Sequence, residues 1–300
     1  MVGMGSRSSA VVVGVDTSDS SREAAEWAAD LAAVWGVPLH LVHVAPGAPE
    51  GSPTSPHPAW LTELCAGAIR AGADPQDSEV VPGNTVEMLA DRAGDARMLV
   101  LGSYGVGAES GMLAGSVALG LLERVRCPVV VVRGSAPRIP PARGGPIVVG
   151  VDGTSAGQGA LEFAADLADS LGCRLIAVHT WSDVAVDHDG AMHRLDENEA
   201  VLAEQAGARV DEALAPITAA HPALPVQREV VNDTPLRALL GRAAGAHLLV
   251  VGHRRHRPES GMALGSTSQG LVEFAACPVA VIKPTTELRP QPASARSGDA

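Results

Sequence analysis

The chain has 300 residues, of which 46% are apolar and 2% aromatic, with a formal net charge of -12. This length suits two domains, and the apolar fraction supplies cores built from Val, Leu and Ala. The acidic balance speaks against general nucleic-acid binding, which needs a basic face.

Residues 1–9 read as a loose tail with no apolar core of a secretion signal. No later run is long and unbroken enough to span a bilayer. A cytoplasmic protein without a membrane partner is therefore expected. Ala10–Val15 is apolar without alternation, the pattern of a strand covered on both faces, and Asp16 ends it. Ser20 and Glu23 have the spacing of a capping box. Ala24, Trp27, Ala28, Leu31 and Trp35 then form a helical apolar face, and Gly36 is a stop signal. Leu39–Val44 reads as a second strand. Asp16 thus stands where open parallel sheets place ligands; capping of a local amide is the alternative role.

Residues 45–59 are rich in Pro, Gly and Ser and read as a loop, with His57 at the surface. Trp60–Gly72 has a helical pattern with Leu61, Leu64, Ala68 and Ile69 facing inward. Glu79–Val81 is a short strand, and Asn84 with Glu87 offers a capping box for the helix over Val86–Ala93. Met98–Leu101 is the next strand.

The stretch from Gly102 to Ser116, GSYGVGAESGMLAGS, follows that strand and precedes an apolar-faced segment. Glycines permit close backbone approach, and amides at a helix start can hold phosphate oxygens. The loop is not a Walker A motif, because no Lys follows its last glycine, nor does it have the spacing of a dinucleotide fingerprint. Phosphate binding and a tight turn packing helix on sheet both remain open. Val129–Val132 closes the unit. Five strands separated by helices imply parallel pairing and right-handed crossovers.

The pattern then repeats. VVGVD at Val12–Asp16 recurs at Val148–Asp152, and Gly36 is matched by Gly172. Gly102, Gly115-Ser116 and Cys127-Pro128 are matched by Gly252, Gly265-Ser266 and Cys277-Pro278. The first set is shifted by 136 positions and the second by 150, so the second repeat has gained about 14 residues within 181–225. This is strong evidence for two copies of one domain. Gly134–Pro146 is the linker, and residues 285–300 read as a disordered tail.

In the second repeat Ile147–Val151, Leu175–Val178, Val226–Val230 and His247–Val251 read as strands. Ser155 and Gln158 resemble a capping box, Leu195–Leu214 a long helix, and Thr234-Pro235 a helix start. Asp187, His188, Asp189 and His193 lie in a polar insertion without zinc-site spacing, so a solvated loop is expected. Four scattered cysteines with no CxxC read as buried small hydrophobes. The second loop, GHRRHRPESGMALGS, carries Arg255 where the first has Gly105. Its Cβ hinders close approach, yet His253, Arg254, Arg255, His256 and Arg257 form the dense basic patch of an acidic chain. Loss of nucleotide binding, anion binding through side chains, and a merely solvated loop are all open.

With these motifs the chain resembles a tandem universal stress protein of the actinobacterial type, over 8–134 and 145–284. The family's ATP-binding pattern is Gly, two residues, Gly, nine residues, Gly, then Ser or Thr; Gly102, Gly105, Gly115 and Ser116 satisfy it. The resemblance implies an α/β fold of two Rossmann-like, doubly wound, five-stranded parallel domains of sheet order 3-2-1-4-5. It implies ATP or AMP, with Mg²⁺, bound by Asp16, Val44, Gly102, Gly105, Gly115, Ser116 and Val117. The matching residues of the second repeat are Asp152, Thr180, Gly252, Arg255, Gly265 and Ser266; Arg255 departs from the pattern, so the nucleotide is expected mainly in the first repeat. The final strands are expected to pair the two repeats, and a homodimer or a protein partner is compatible with the family. An ATP-responsive stress protein is the leading reading, against weak ATP hydrolysis or nucleotide transfer and against a purely structural or partner-binding role. No catalytic residue and no metal ligand is assigned.

Overall fold

The computed structural model describes residues 10–45, 57–75, 77–104, 116–133, 144–182, 184–186, 192–194, 198–253 and 264–284. The first repeat runs β1 (Val11–Gly14), α1 (Asp19–Trp35), β2 (Leu39–Ala45), α2 (Ala59–Arg70), β3 (Glu79–Pro82), α3 (Thr85–Arg92), β4 (Met98–Gly102), α4 (Ser116–Arg124) and β5 (Val129–Val132). The second runs β6 (Ile147–Gly150), α5 (Ser155–Leu171), β7 (Leu175–Trp181), a short antiparallel hairpin of β8 (Val184–Val186) and β9 (Met192–Arg194), and α6 (Glu199–Ala220). It continues through β10 (Val226–Asn232), α7 (Pro235–Ala243), β11 (Leu248–Gly252), α8 (Ser266–Phe274) and β12 (Val279–Ile282).

Each repeat is a five-stranded parallel sheet. The first has the order β3-β2-β1-β4-β5 and the second β10-β7-β6-β11-β12, which is the doubly wound order expected. The two sheets join into one of ten strands because β5 and β12 pair antiparallel, with Val131 opposite Val279 and Val130 opposite Ala280. Side chains of a strand alternate between faces. Accordingly Val130, Val132, Ala280 and Ile282 enter the hydrophobic layer under α1, α2, α5 and α6. Val129, Val131, Val279 and Val281 enter the opposite layer, under α3, α4, α7 and α8. Both layers draw on both repeats, so the apolar core is continuous across the seam.

Polar contacts also cross it. Trp35 Nε1 donates to Ser170 Oγ at 3.0 Å, and the Trp27 and His247 rings lie 5.8 Å apart. The lone lysine, Lys283, donates to the carbonyl of Val125 at 2.6 Å, just beyond the carboxyl end of α4, where a cation suits the helix field.

Local chemistry explains the helix limits. Ser18 and Thr154 cap α1 and α5 by accepting from Ser21 N and Gly157 N. Ser20 and Ser155, the caps expected from sequence, lie inside their helices instead, because the carboxylate of Asp16 or Asp152 holds the preceding Ser18 or Thr154 in an extended cap conformation. Gly36 and Gly172 end the two helices with φ of 61° each, a conformation costly for a residue with a Cβ. Ile69 is 62% exposed rather than inward, since the buried stripe of α2 runs through Leu61 and Ala68. Helix α6 continues through Pro216 to Ala220, beyond the expected end at Leu214. Val210, Leu214 and Ile217 keep that helix on the core past the proline. The expected linker centre, the tail, Asp187, His188 and Asp189 lie outside the described residues.

Glu79 at the sheet edge ties β3 to α3. The imidazole of His40 at 3.2 Å, and then the Arg92 guanidinium at 2.7 Å, hold its carboxyl down to about 2 from an ordinary 4.5, against the opposing effect of partial burial. The second repeat keeps the Arg242–Glu229 pair. A depressed carboxylate stabilises the fold above its unfolded value and loses that effect as protonation proceeds. Stability should therefore fall between pH 4.5 and about 2, and Glu79→Gln should flatten that fall. Urea midpoints across the window check this; parallel curves for the two proteins would count against it.

Cys127 and Cys277 are buried, and burial pushes their thiols up to about 11 and about 12, so little thiolate exists near neutrality. Cys65 and Cys173 are half-buried, and all four cysteines are free thiols.

Candidate functional site

The carboxyl ends of β1 and β4, and of β6 and β11, lie side by side at the point where each sheet reverses its winding. Ligands of open α/β sheets bind at such points.

Asp16 and Asp152 each follow the first strand of a repeat. Oδ1 of Asp16 accepts from Ser18 N at 2.9 Å and from Ser18 Oγ at 2.5 Å. Oδ1 of Asp152 accepts from Thr154 N at 2.9 Å and from Thr154 Oγ1 at 2.6 Å. In both repeats this oxygen organises the turn into the following helix, which is the capping role left open by the sequence.

Gly102 and Gly252 end β4 and β11. A Cβ on Gly102 would lie 2.6 Å from Ser20 Oγ and 2.8 Å from Ser20 C and Ser21 N. On Gly252 it would lie 2.6 Å from the carbonyl carbon and oxygen of Ala156 and 2.8 Å from Gly157 N. These glycines let the first turn of α1 or α5 press onto the strand end. Sequence reasoning left both ligand contact and the packing of a helix on the sheet open for the first loop, and did not identify α1 or α5 as the helix that is packed. The available signal was the small pair at each helix start, Ser20-Ser21 and Ala156-Gly157. Ser20 adds a bond across this contact, donating to the carbonyl of Tyr104 at 2.5 Å.

A second feature absent from the sequence reading occurs twice. His43 Nδ1 meets the Val15 carbonyl at 2.8 Å, and His179 Nδ1 meets the Val151 carbonyl at 2.7 Å. A carbonyl only accepts, so Nδ1 carries the proton. The His43 ring also stands edge-on to Trp60, 4.9 Å between centroids.

In the second repeat a cavity of about 350 Å³ opens at these strand ends. Asp152, Thr180, Gly252, Gly265 and Ser266 all line it, so five of the six residues expected there converge. Arg255, the sixth, lies outside the described residues, as do Gly105 and Gly115 of the first repeat. His179, Thr267 and Ser268 complete the polar lining, while Val178, Pro235 and Leu239 give apolar wall. In the first repeat Ser116 and Val117 open α4, and the Val44 side chain is buried in the core layer. Among the described residues no cluster of three or more His, Cys, Asp or Glu could hold a metal ion, and no helix is long and apolar enough to cross a membrane.

Universal stress protein Rv2005c of Mycobacterium tuberculosis is 37% identical over 290 residues, covering 91% of this chain and 96% of its own. A crystal structure of a universal stress protein from Archaeoglobus fulgidus matches with a TM-score of 0.66 at 21% identity, covering 93% of this chain and 100% of that one, a likeness of fold. A universal stress protein solved in complex with cAMP is 32% identical and covers 42% of this chain and 98% of its own at a TM-score of 0.35. Residues 8–133 and 145–283 each match the model of the universal stress protein family. The chain belongs to that family, as a tandem-domain member of the actinobacterial kind.

Proposed function

We propose that this protein is a cytoplasmic, adenine-nucleotide-binding member of its family that responds to the ligand without turning it over. The observation that carries this reading is the cavity at the switch point of the second repeat, where a helix start, hydroxyl groups and an apolar wall converge. That combination suits a base joined to a phosphate. In the first repeat the glycine pattern at Gly102, Gly105, Gly115 and Ser116 supports ATP, with Mg²⁺ neutralising part of its charge, and makes that repeat the tighter ATP site. Catalysis would need a positioned base or metal-bound water, and Asp16 has one oxygen engaged in its turn.

Ligand binding stabilises a folded domain by mass action. Gly105→Arg is expected to weaken ATP binding by about tenfold or more, because a Cβ and a long side chain enter a close backbone approach. Titration calorimetry on the full chain, with circular dichroism to verify folding, checks this. An unaltered ATP affinity in folded Gly105→Arg would overturn the assignment to the first repeat. Absence of any adenine-nucleotide heat in the unsubstituted protein would overturn the reading as a whole, and steady ATP turnover abolished by Asp16→Ala would replace it with an enzyme.

A further inference from the structure

The two edges of the ten-stranded sheet are built differently. β3 lies at one edge and β10 at the other. They hold the same place in their repeats, since Pro75 and Glu79 are matched by Pro225 and Glu229 at the shift of 150. Between those positions the repeats part. Asp77 has φ of 63°, and Ser78 Oγ donates to the Pro75 carbonyl at 3.0 Å, so the first repeat turns there. β3 starts only at Glu79 and stops four residues later on Pro82. β10 instead runs straight through the matching stretch, from Val226 to Asn232, and pairs with β7 along all seven residues.

Leu175 N donates to the Pro225 carbonyl at 2.9 Å, which fixes how β10 is turned. Alternate residues of a parallel strand direct their amides and carbonyls to the same neighbour. Gln227, Glu229 and Val231 therefore face β7, and the backbone groups of Val226, Arg228, Val230 and Asn232 point away from it. Among the described residues no strand lies beyond them. Sheets guard such an edge by shortness, proline, lysine or a bulge. β3 is short and ends on a proline, whereas β10 has neither proline nor lysine in its seven residues. Its charged side chains turn onto the flanking helices. Arg228 Nη1 donates to Asp211 of α6 at 2.6 Å, and Glu229 takes Arg242 of α7.

We infer that β10 is an interface with a second copy of this chain, the two strands pairing antiparallel about a twofold axis at Val230 so that two ten-stranded sheets become one. A second copy supplies an identical open edge, the self-complementary contact of a twofold dimer. The chain already joins its own repeats in this manner, through the antiparallel edge pair of β5 and β12. With the axis at Val230, Arg228 lies opposite Asn232 and Glu229 opposite Val231, so no like charges meet. An axis at Arg228 or Glu229 would set that charge directly against itself. The outward backbone groups of Arg228, Val230 and Asn232 then all find partners. None of these residues lines the cavity at the strand ends, so the contact is independent of nucleotide binding.

The test uses the full chain without added ligand. Sedimentation velocity over a range of protein concentrations should show monomer passing to dimer. Amide hydrogen exchange at Arg228, Val230 and Asn232 should slow as the concentration rises. Val230→Lys would set two ammonium groups opposite one another, and Asn232→Pro removes an outward amide while leaving the ladder to β7 intact. Each should raise the dimer dissociation constant about tenfold or more, with the circular dichroism of the unsubstituted protein retained. A monomer at every concentration would overturn the inference. So would a dimer of unaltered strength in both variants, or one that forms while these three amides exchange as in the monomer. Slow exchange at the three amides that does not depend on concentration would also overturn it, by giving the edge to a segment of the same chain.

Discussion

Ala280→Asp is expected to abolish cooperative folding of the ten-stranded sheet. Ala280 is fully buried in β12 and lies opposite Val130 of β5, which is also fully buried. The methyl group enters the continuous apolar layer shared by the two repeats. A carboxylate placed there is removed from water among Val and Leu side chains. Breaking burial rules in this way costs several kcal/mol, a large share of the roughly 5–15 kcal/mol that holds a domain folded. Soluble yield and the urea midpoint are the measurements. Ala280→Val, which copies the residue across the pair, is the control for size and should lose far less. A midpoint for Ala280→Asp equal to that of the unsubstituted protein would refute a dry seam between β5 and β12.

Gly252→Val should destabilise the protein by about 3 kcal/mol or more, above the ordinary range for an enlarged core side chain. The obstacle is backbone: carbonyl atoms of Ala156 at 2.6 Å and Gly157 N at 2.8 Å from the added Cβ. Such atoms cannot rotate aside as a side chain can, so α5 must lift from the end of β11. Gly102→Val faces a similar contact, with Ser20 Oγ at 2.6 Å and the backbone atoms Ser20 C and Ser21 N both at 2.8 Å, so a comparable loss is expected there. Gly159→Ala is the informative control. It lies within α5, has nothing within 4 Å of its added Cβ, and should stabilise by roughly 0.5–1 kcal/mol through helix preference. Chemical denaturation of the three variants gives the comparison. Equal midpoints for Gly252→Val and Gly159→Ala would show that the helix start does not press on the strand. Because Gly252 also lines the cavity, loss of ligand binding in its variants need not report a ligand contact.

The duplicated strand ends and glycine positions made the fold legible before any coordinates. Val12–Asp16 and Val148–Asp152 mark the same strand twice, and both prove to be central strands covered on two faces. Helix limits were less legible. Ser20 fits a capping box by spacing, but Ser18 takes the cap because Asp16 binds it two residues away. Ile69 fits a helical stripe, yet points outward because the core contacts α2 along a narrower line than the pattern suggests. The candidate site was half legible. Asp152, Thr180, Gly252, Gly265 and Ser266 were named from the repeat and meet in one cavity. Ser268 and His179 were not named, because a serine in a helix start and a histidine in an apolar strand carry no motif.

The resemblance to the family implied the strand order within each half, whereas the sequence by itself determined the repeat, the parallel α/β class and the position of the glycine-rich loops. These follow from local periodicity and from spacing along the chain. Only the tertiary structure decided that Gly102 and Gly252 serve a helix–strand contact, that Ser268 and His179 line one cavity, and that the two cores merge into one. Those properties depend on which groups meet across distances of many residues, and neither a residue's type nor its neighbours in the chain encode that meeting.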